Sequence, residues 1–309
     1  MLSTLTKGIS PNAVISAFRR QVVDYYELTK PRITTLVLVT TFVGMWVASS
    51  GSVNFTLVFF TLLGTGLASA SSATFNNIID RGIDARMART RFRALPAGRI
   101  SAQSAFVFAT LMAVSSFAIL SSFANYLTAW LALFTIFFYV VIYTLWLKRY
   151  STICTEVGGI AGALPPVIGW TAITNDITWQ TILLFLIIFL WQPPHFWALA
   201  LVRADEYKQA KIPMLPVVKG TRLTKFRMLL YTLALIPTTV SMYLLGLSGI
   251  VFLIASTLLG IVYLTLTIDF MRKPVTIKSA RRLFGFSILY LLGIFMLIFI
   301  DYQLGGVLA

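Results

Sequence analysis

Asn76, Asp80 and Asp84 recur at intervals of four in the stretch N-N-I-I-D-R-G-I-D-A-R-M-A-R-T-R-F-R, at the end of a long apolar run. The chain holds only 10 acidic side chains in 309 residues, so two of them on one helix face at the edge of an apolar segment need a chemical reason. A spacing of i, i+4, i+8 stacks side chains on one face, about 6 Å apart per turn. Held that way, two carboxylates and an amide oxygen repel one another unless a cation sits between them. Oxygen donors with open positions beside them suit magnesium, which keeps waters and takes phosphate oxygens as further ligands. Arg81, Arg86, Arg89, Arg91 and Arg93 surround the set. The combination reads as a diphosphate site at the mouth of a membrane pocket. A solvated helix end paired with its arginines is the plainer alternative, but it gives no reason for the strict four-residue repeat or for an amide as third member.

Other residues could join this chemistry. The loop R-A-D-E-Y-K-Q-A-K-I-P-M-L-P-V-V-K-G supplies Asp205 and Glu206 as further carboxylates, Asp205 as an added metal donor, and Arg203, Lys208 and Lys211 as cations that could close over a diphosphate. The single histidine, His195, follows Pro193 and Pro194 inside an apolar run, eight residues before Arg203. That places it about 12 Å in from a helix end, and an ionisable group at membrane depth is a functional candidate, with a packing histidine as the alternative. Glu156 stands near a second helix end, and Phe75, Phe134, Phe137, Phe138, Tyr139 and Tyr143 could line a cavity and stabilise a cation through their ring faces.

The elements that position these residues are membrane helices. With 58% hydrophobic residues, 11% charged and apolar runs of about 20 residues along the whole chain, the sequence is that of an all-α polytopic membrane protein. Nine spans are expected at 33–50, 53–77, 101–122, 124–147, 153–174, 178–202, 226–247, 249–271 and 281–303. All 25 Lys and Arg then fall on one side, distributed 5, 6, 2, 7 and 5 over residues 1–32, 78–100, 148–151, 203–227 and 272–282. By the positive-inside rule that side is cytoplasmic, with the N-terminus in and the C-terminus out. The net charge of +15 is therefore a topology signal rather than a nucleic-acid footprint, and no nucleic-acid partner is expected. Residues 1–32 form a cytoplasmic segment in which 12–28 could lie as an amphipathic helix on the membrane surface, 33–303 a single nine-helix domain, and 304–309 a short tail. The first 30 residues hold no apolar run long enough for a cleavable signal, and one cysteine, Cys154, excludes an internal disulfide.

The N-x-x-x-D-x-x-x-D signature ahead of R-T-R-F-R resembles the UbiA superfamily of intramembrane aromatic prenyltransferases. L-T-K-P-R-I at 28–33, L-K-R at 147–149, G-G-I-A-G-A-L-P-P-V-I-G-W at 158–170, Q-P-P-H-F-W-A-L-A at 192–200 and I-P-M-L-P-V-V-K-G at 212–220 are similar to the branch that farnesylates haem. The resemblance implies nine helices bundled around a central cavity in a bacterial-type inner membrane, with the active site near the cytoplasmic face. It implies Mg2+ held by Asn76, Asp80 and Asp84, with Lys30, Arg89, Arg93 and Lys148 near the phosphates. It implies transfer of a farnesyl group from farnesyl diphosphate to a vinyl group of haem B, giving haem O, with His195 contacting the haem and a protein partner that hands over or receives haem. Many relatives carry a second D-x-x-x-D, whereas Asp205 is followed here by Gln209, a departure that favours the haem branch.

Two other functions fit less. Prenylation of a quinone precursor leaves the intramembrane histidine without a role, and a cation-coupled transporter leaves the arginines beside the carboxylates without one. Reporters fused after residue 90 or 212 should report cytoplasm and a fusion at the C-terminus the opposite side; a cytoplasmic C-terminus would mean a miscounted span.

Overall fold

The computed structural model describes residues 11–304, with side chains from residue 15. The start of the 1–32 segment and all but the first residue of the 304–309 tail lie outside the described residues. Among those described, a helix α1 (Pro11–Leu28) precedes nine helices long and apolar enough to cross a membrane. These are α2 (Pro31–Ala48), α3 (Phe55–Asp84), α4 (Ala102–Phe123), α5 (Tyr126–Tyr150), α6 (Cys154–Thr174), α7 (Trp179–Val202), α10 (Gly220–Leu244), α11 (Ile250–Arg272) and α12 (Ile277–Gln303), with short helices α8 (Ala204–Gln209) and α9 (Leu215–Val218) between α7 and α10. Helices alone satisfy every backbone amide inside the segment, which an apolar solvent requires.

The expected spans are matched, with two extensions that matter. α3 runs past the expected end at 77 to Asp84, so Asn76, Asp80 and Asp84 share one continuous helix. α10 begins at Gly220 rather than 226. Asn54, Ser101 and Asn125 cap α3, α4 and α5 by accepting backbone N–H bonds. Asp301, fully buried on α12, accepts from the backbone N–H groups of Gly249 and Phe252 and so caps α11 from a neighbouring helix.

Small residues set the closest helix contact. A Cβ on Gly44 of α2 would lie 2.0 Å from the Pro166 carbonyl oxygen of α6, and one on Gly169 of α6 would lie 1.9 Å from the Thr41 carbonyl oxygen. Their absence lets the two backbones touch. The hydrogen-bond ladder of α6 is interrupted around Leu164, whose backbone stays in the right-handed helical region, because Pro165 and Pro166 supply no amide hydrogens. Trp170, Leu184, Ile187, Trp191, Trp197, Phe252, Tyr263 and Tyr290 pack α6, α7, α11 and α12 into one core. Leu111, Trp130, Leu289 and Met296 stay exposed, as suits a surface in contact with lipid.

Gly169→Ala should destabilise the protein by about 3 kcal/mol or more, because the added methyl meets backbone rather than a side chain that can turn. Gly285→Ala on α12, where nothing lies within 4 Å of the new Cβ, is the control. Thermal unfolding in detergent should separate the two variants.

Candidate active site

A cavity of about 500 Å³ opens among α2, α3, α5, α6 and α7 and is lined at one end by Lys30, Asp80, Asp84, Arg89, Arg93, Lys148 and Arg203. Asn76, Asp80 and Asp84 are all buried. Asn76 Oδ1 accepts from Lys30 Nζ at 2.5 Å, and its Nδ2 donates to Asp80 Oδ2 at 2.9 Å and to Thr144 Oγ1 at 3.2 Å. Lys148 Nζ donates to Asp80 Oδ2, and Arg93 Nη1 to Asp84 Oδ2 at 2.8 Å. Asp80 Oδ1 is buried with no partner. Such an atom normally costs about 1–3 kcal/mol, and an oxygen left free in this position fits a metal donor. Among the described residues no three of His, Cys, Asp and Glu converge, so a metal here would take its remaining ligands from the Asn76 amide, water or phosphate.

Five cations against two carboxylates leave the cavity end with an excess positive charge. Burial first, and then the nearby charges of Lys148 and Arg93, bring the Lys30 ammonium down to about 8. Lys30 also holds a left-handed backbone, φ 49° and ψ 62°, just before Pro31 opens α2. Proline disfavours the right-handed helical region for the residue before it, and the non-glycine αL conformation of Lys30 accompanies its side-chain bond to Asn76.

α5 solves a geometric problem. Tyr139 and Lys148 both line the cavity, yet nine residues along an α-helix, at about 100° each, would place them on opposite faces. Phe138–Leu147 is wound as a π-helix, whose hydrogen bonds reach one residue further and whose turns are wider. Tyr139, Tyr143 and Lys148 thereby share a face, and Thr144 reaches Asn76.

The other sequence candidates separate. Arg203 lines the cavity, whereas Asp205, Glu206 and Lys208 are exposed on α8 and lie outside the lining, which takes Tyr207 from that helix instead. Glu156 is buried in an ion pair with Arg227, 2.6 Å away, rather than facing the cavity. Of the aromatic candidates, Tyr139 and Tyr143 line the cavity, Phe134 and Phe137 are exposed on the outer face, and Phe75 packs edge-on against Phe106. His195 does not join this cluster. It is buried outside the cavity lining, stacked between Trp191 and Phe284 with ring centroids 4.4 and 4.3 Å away. Its Nδ1 is 2.6 Å from Ser287 Oγ, and that hydroxyl donates to the Phe284 carbonyl at 2.6 Å. The oxygen must therefore accept from Nδ1–H. Gln192, Phe196 and Leu199 on the same helix face the cavity instead. Thr144, Gln192 and Tyr207 escaped the sequence reading; intervals of five from Tyr139 to Thr144 and from Tyr143 to Lys148 were the available signal for α5.

The profile of the UbiA prenyltransferase family matches residues 37–299, and the chain belongs to that family. Curated relatives named protoheme IX farnesyltransferase include that of Gloeobacter violaceus, 49% identical over 90% of this chain and 91% of the relative, and that of Aquifex aeolicus, 44% identical over 93% and 98%. Among solved structures, a digeranylgeranylglyceryl phosphate synthase superposes with a TM-score of 0.79 at 17% identity, covering 92% of this chain and 99% of the other. A UbiA homolog from Archaeoglobus fulgidus bound to DMAPP and Mg2+ superposes with a TM-score of 0.61 at 15% identity over 90% and 99%. These structures share the fold.

His195→Ala and Ser287→Ala should each lower stability by about 1–3 kcal/mol through the lost buried hydrogen bond, while farnesyl diphosphate affinity stays near wild type. Calorimetric unfolding and titrations of haem B and of farnesyl diphosphate on the same samples check this; a loss of haem affinity with diphosphate affinity retained would make His195 a haem contact rather than a packing residue.

Proposed function

We propose that the chain transfers the farnesyl group of farnesyl diphosphate to a vinyl group of haem B, giving haem O. The observation that carries this is Asp80 Oδ1, a carboxylate oxygen without a partner inside a ring of cations. Relatives close to half identical over nine-tenths of the chain and named protoheme IX farnesyltransferase support the choice of substrates. A transporter for cations would not surround its carboxylates with a positive excess.

Asn76, Asp80 and Asp84 would hold Mg2+, which supplies Lewis-acid neutralisation of the diphosphate. Lys30, Arg89, Arg93, Lys148 and Arg203 take the rest of its charge, with Lys208 close by on α8. With the leaving group so neutralised, the allylic C–O bond ionises and the diphosphate departs with the electron pair. Tyr139 and Tyr143, with the apolar wall of Ile33, Val37, Ala68 and Ile168, shield the allylic cation from water. The terminal vinyl carbon attacks it, forming the C–C bond. The positive charge passes to the carbon next to the porphyrin, where water adds and loses a proton to leave a hydroxyl. The basic end of the bundle faces the cytoplasm in this reading, and Asp205 is not needed as a donor.

Purified protein given farnesyl diphosphate, haem B and Mg2+ should yield haem O by mass. Asp80→Ala and Asp84→Ala should lower turnover on the order of 10²-fold or more with the fold intact, and Asn76→Ala less. Normal turnover in EDTA or in either aspartate variant would overturn the metal assignment, and in a parallel reaction offered an aromatic acid together with haem B, a prenylated aromatic acid in place of haem O would overturn the acceptor.

A further inference from the structure

α1 carries two faces that prenyl transfer leaves unexplained. The outer face is an apolar stripe: Ile15, Phe18, Val22 and Tyr26 are 65%, 67%, 52% and 62% exposed. Their spacing of three and four puts them on one side of the helix. Arg19 and Arg20 are exposed beside them, and the one exposed acid from residue 15 to the end of α1 is Glu27, in its last turn.

The inner face grips the segment that carries cavity cations. Asp24, 5% exposed, accepts from Arg99 Nε at 2.8 Å on one oxygen and from Arg99 Nη2 at 2.8 Å on the other. The guanidinium holds the Asp24 carboxyl below the usual carboxylate range. Arg99 Nη1 donates to the Phe92 carbonyl at 3.1 Å. Leu28 is buried among Ala94, Leu95 and Ile100, and its carbonyl accepts from Asn77 Nδ2 at 3.0 Å. α1 thus bolts residues 85–101, with Arg89 and Arg93, to the part of α3 that holds Asn76. Two residues beyond its own end it presents Lys30.

We propose that the outer face of α1 lies on an anionic lipid surface and that this contact, relayed through Asp24 and Arg99, sets Lys30, Arg89 and Arg93 and so governs how tightly the cavity holds a diphosphate. The occupant is lipid for two reasons. The chain enters the membrane at Pro31, so α1 lies at its surface, where an apolar stripe flanked by arginines complements acyl chains and acidic headgroups. In addition, an open furrow of about 560 Å³ runs between α1 and α4, lined by Tyr25, Gln103, Val107, Phe108 and Leu111. Val107 and Leu111 are exposed on a spanning helix, so the furrow continues the lipid-facing wall and offers an acyl chain a seat beneath α1.

The inference rests on the diphosphate half of the proposed function and not on haem. The test uses the full chain in nanodiscs of phosphatidylcholine alone and of phosphatidylcholine with about a third phosphatidylglycerol, measuring inorganic pyrophosphate affinity and the KM and kcat for farnesyl diphosphate. Simple repulsion by an anionic surface would weaken both ligands. The proposal expects the opposite: KM about fivefold lower in anionic discs with kcat little changed, and pyrophosphate affinity rising in parallel. Arg19→Gln with Arg20→Gln should behave as wild type in neutral discs and lose the response to phosphatidylglycerol. Asp24→Asn should raise KM in both membranes with kcat retained, and Asp24→Glu should recover part of it. Equal KM in the two membranes, an undiminished lipid response in the double arginine variant, or a response that tracks particle mass because a second copy covers the stripe would each overturn the proposal. Pyrophosphate that fails to bind in either disc would instead strike the diphosphate reading, whereas pyrophosphate bound equally well in both strikes α1 alone.

Discussion

Charges taken out of water inside an apolar bundle must be matched at close range, and that requirement organises this molecule. Asp80 and Asp84 are buried among Lys30, Arg89, Arg93, Lys148 and Arg203. A buried carboxylate or amide is costly to leave without its partner, so the cations bonded to Asn76, Asp80 and Asp84 fix the elements that carry them. Lys30 fixes the turn between α1 and α2, Lys148 the end of α5, and Arg93 the loop after α3. The rest of the bundle keeps these elements from relaxing away from one another. Backbone contact between α2 and α6 at Gly44 and Gly169 holds two cavity walls at fixed distance. The core of α7, α11 and α12, with His195 clamped by Ser287, Trp191 and Phe284, backs the helix face that presents Gln192, Phe196 and Leu199 to the cavity.

The same arrangement suits a reaction in which charge separates. An anion leaves toward the cation-rich end while a carbocation stays against apolar and aromatic walls, so one cavity serves both by being polarised along its length. The positive excess also means that the cavity gains most from a multivalent anion.

Much of this was legible in the sequence because lipid leaves few choices. Runs of apolar residues must be helices, and the one-sided distribution of Lys and Arg fixed their number. The i, i+4, i+8 set was legible because periodicity survives wherever the helix is regular, and α3 is regular through Asp84. What periodicity does not give is the direction a helix faces when every side is apolar. His195 and Gln192 are three residues apart, yet one packs against α12 and the other faces the cavity. Asp205 and Lys208 looked equivalent to Arg203 because a loop's polarity says nothing about which of its residues turn inward. Glu156 looked available until Arg227, 71 residues later, proved to be its partner.

The π-helical stretch in α5 carries a consequence for how such a span can change. Tyr126–Phe137 keeps ordinary winding and shows Trp130, Phe134 and Phe137 outward, whereas the next ten residues turn Tyr139, Tyr143 and Thr144 inward and deliver Lys148, which follows them, to the same side. The two halves are out of phase, and the phase is stored in the winding rather than in the identity of any residue. Deleting one residue between Phe138 and Leu147 would let the segment return to α-helical winding and swing Lys148 around the axis, with no polar side chain removed and the outward half untouched. A length change of one thus acts in this helix as a rotation of its head. Alignments of such chains that treat a single gap here as neutral would overlook a change in which side chains meet the diphosphate.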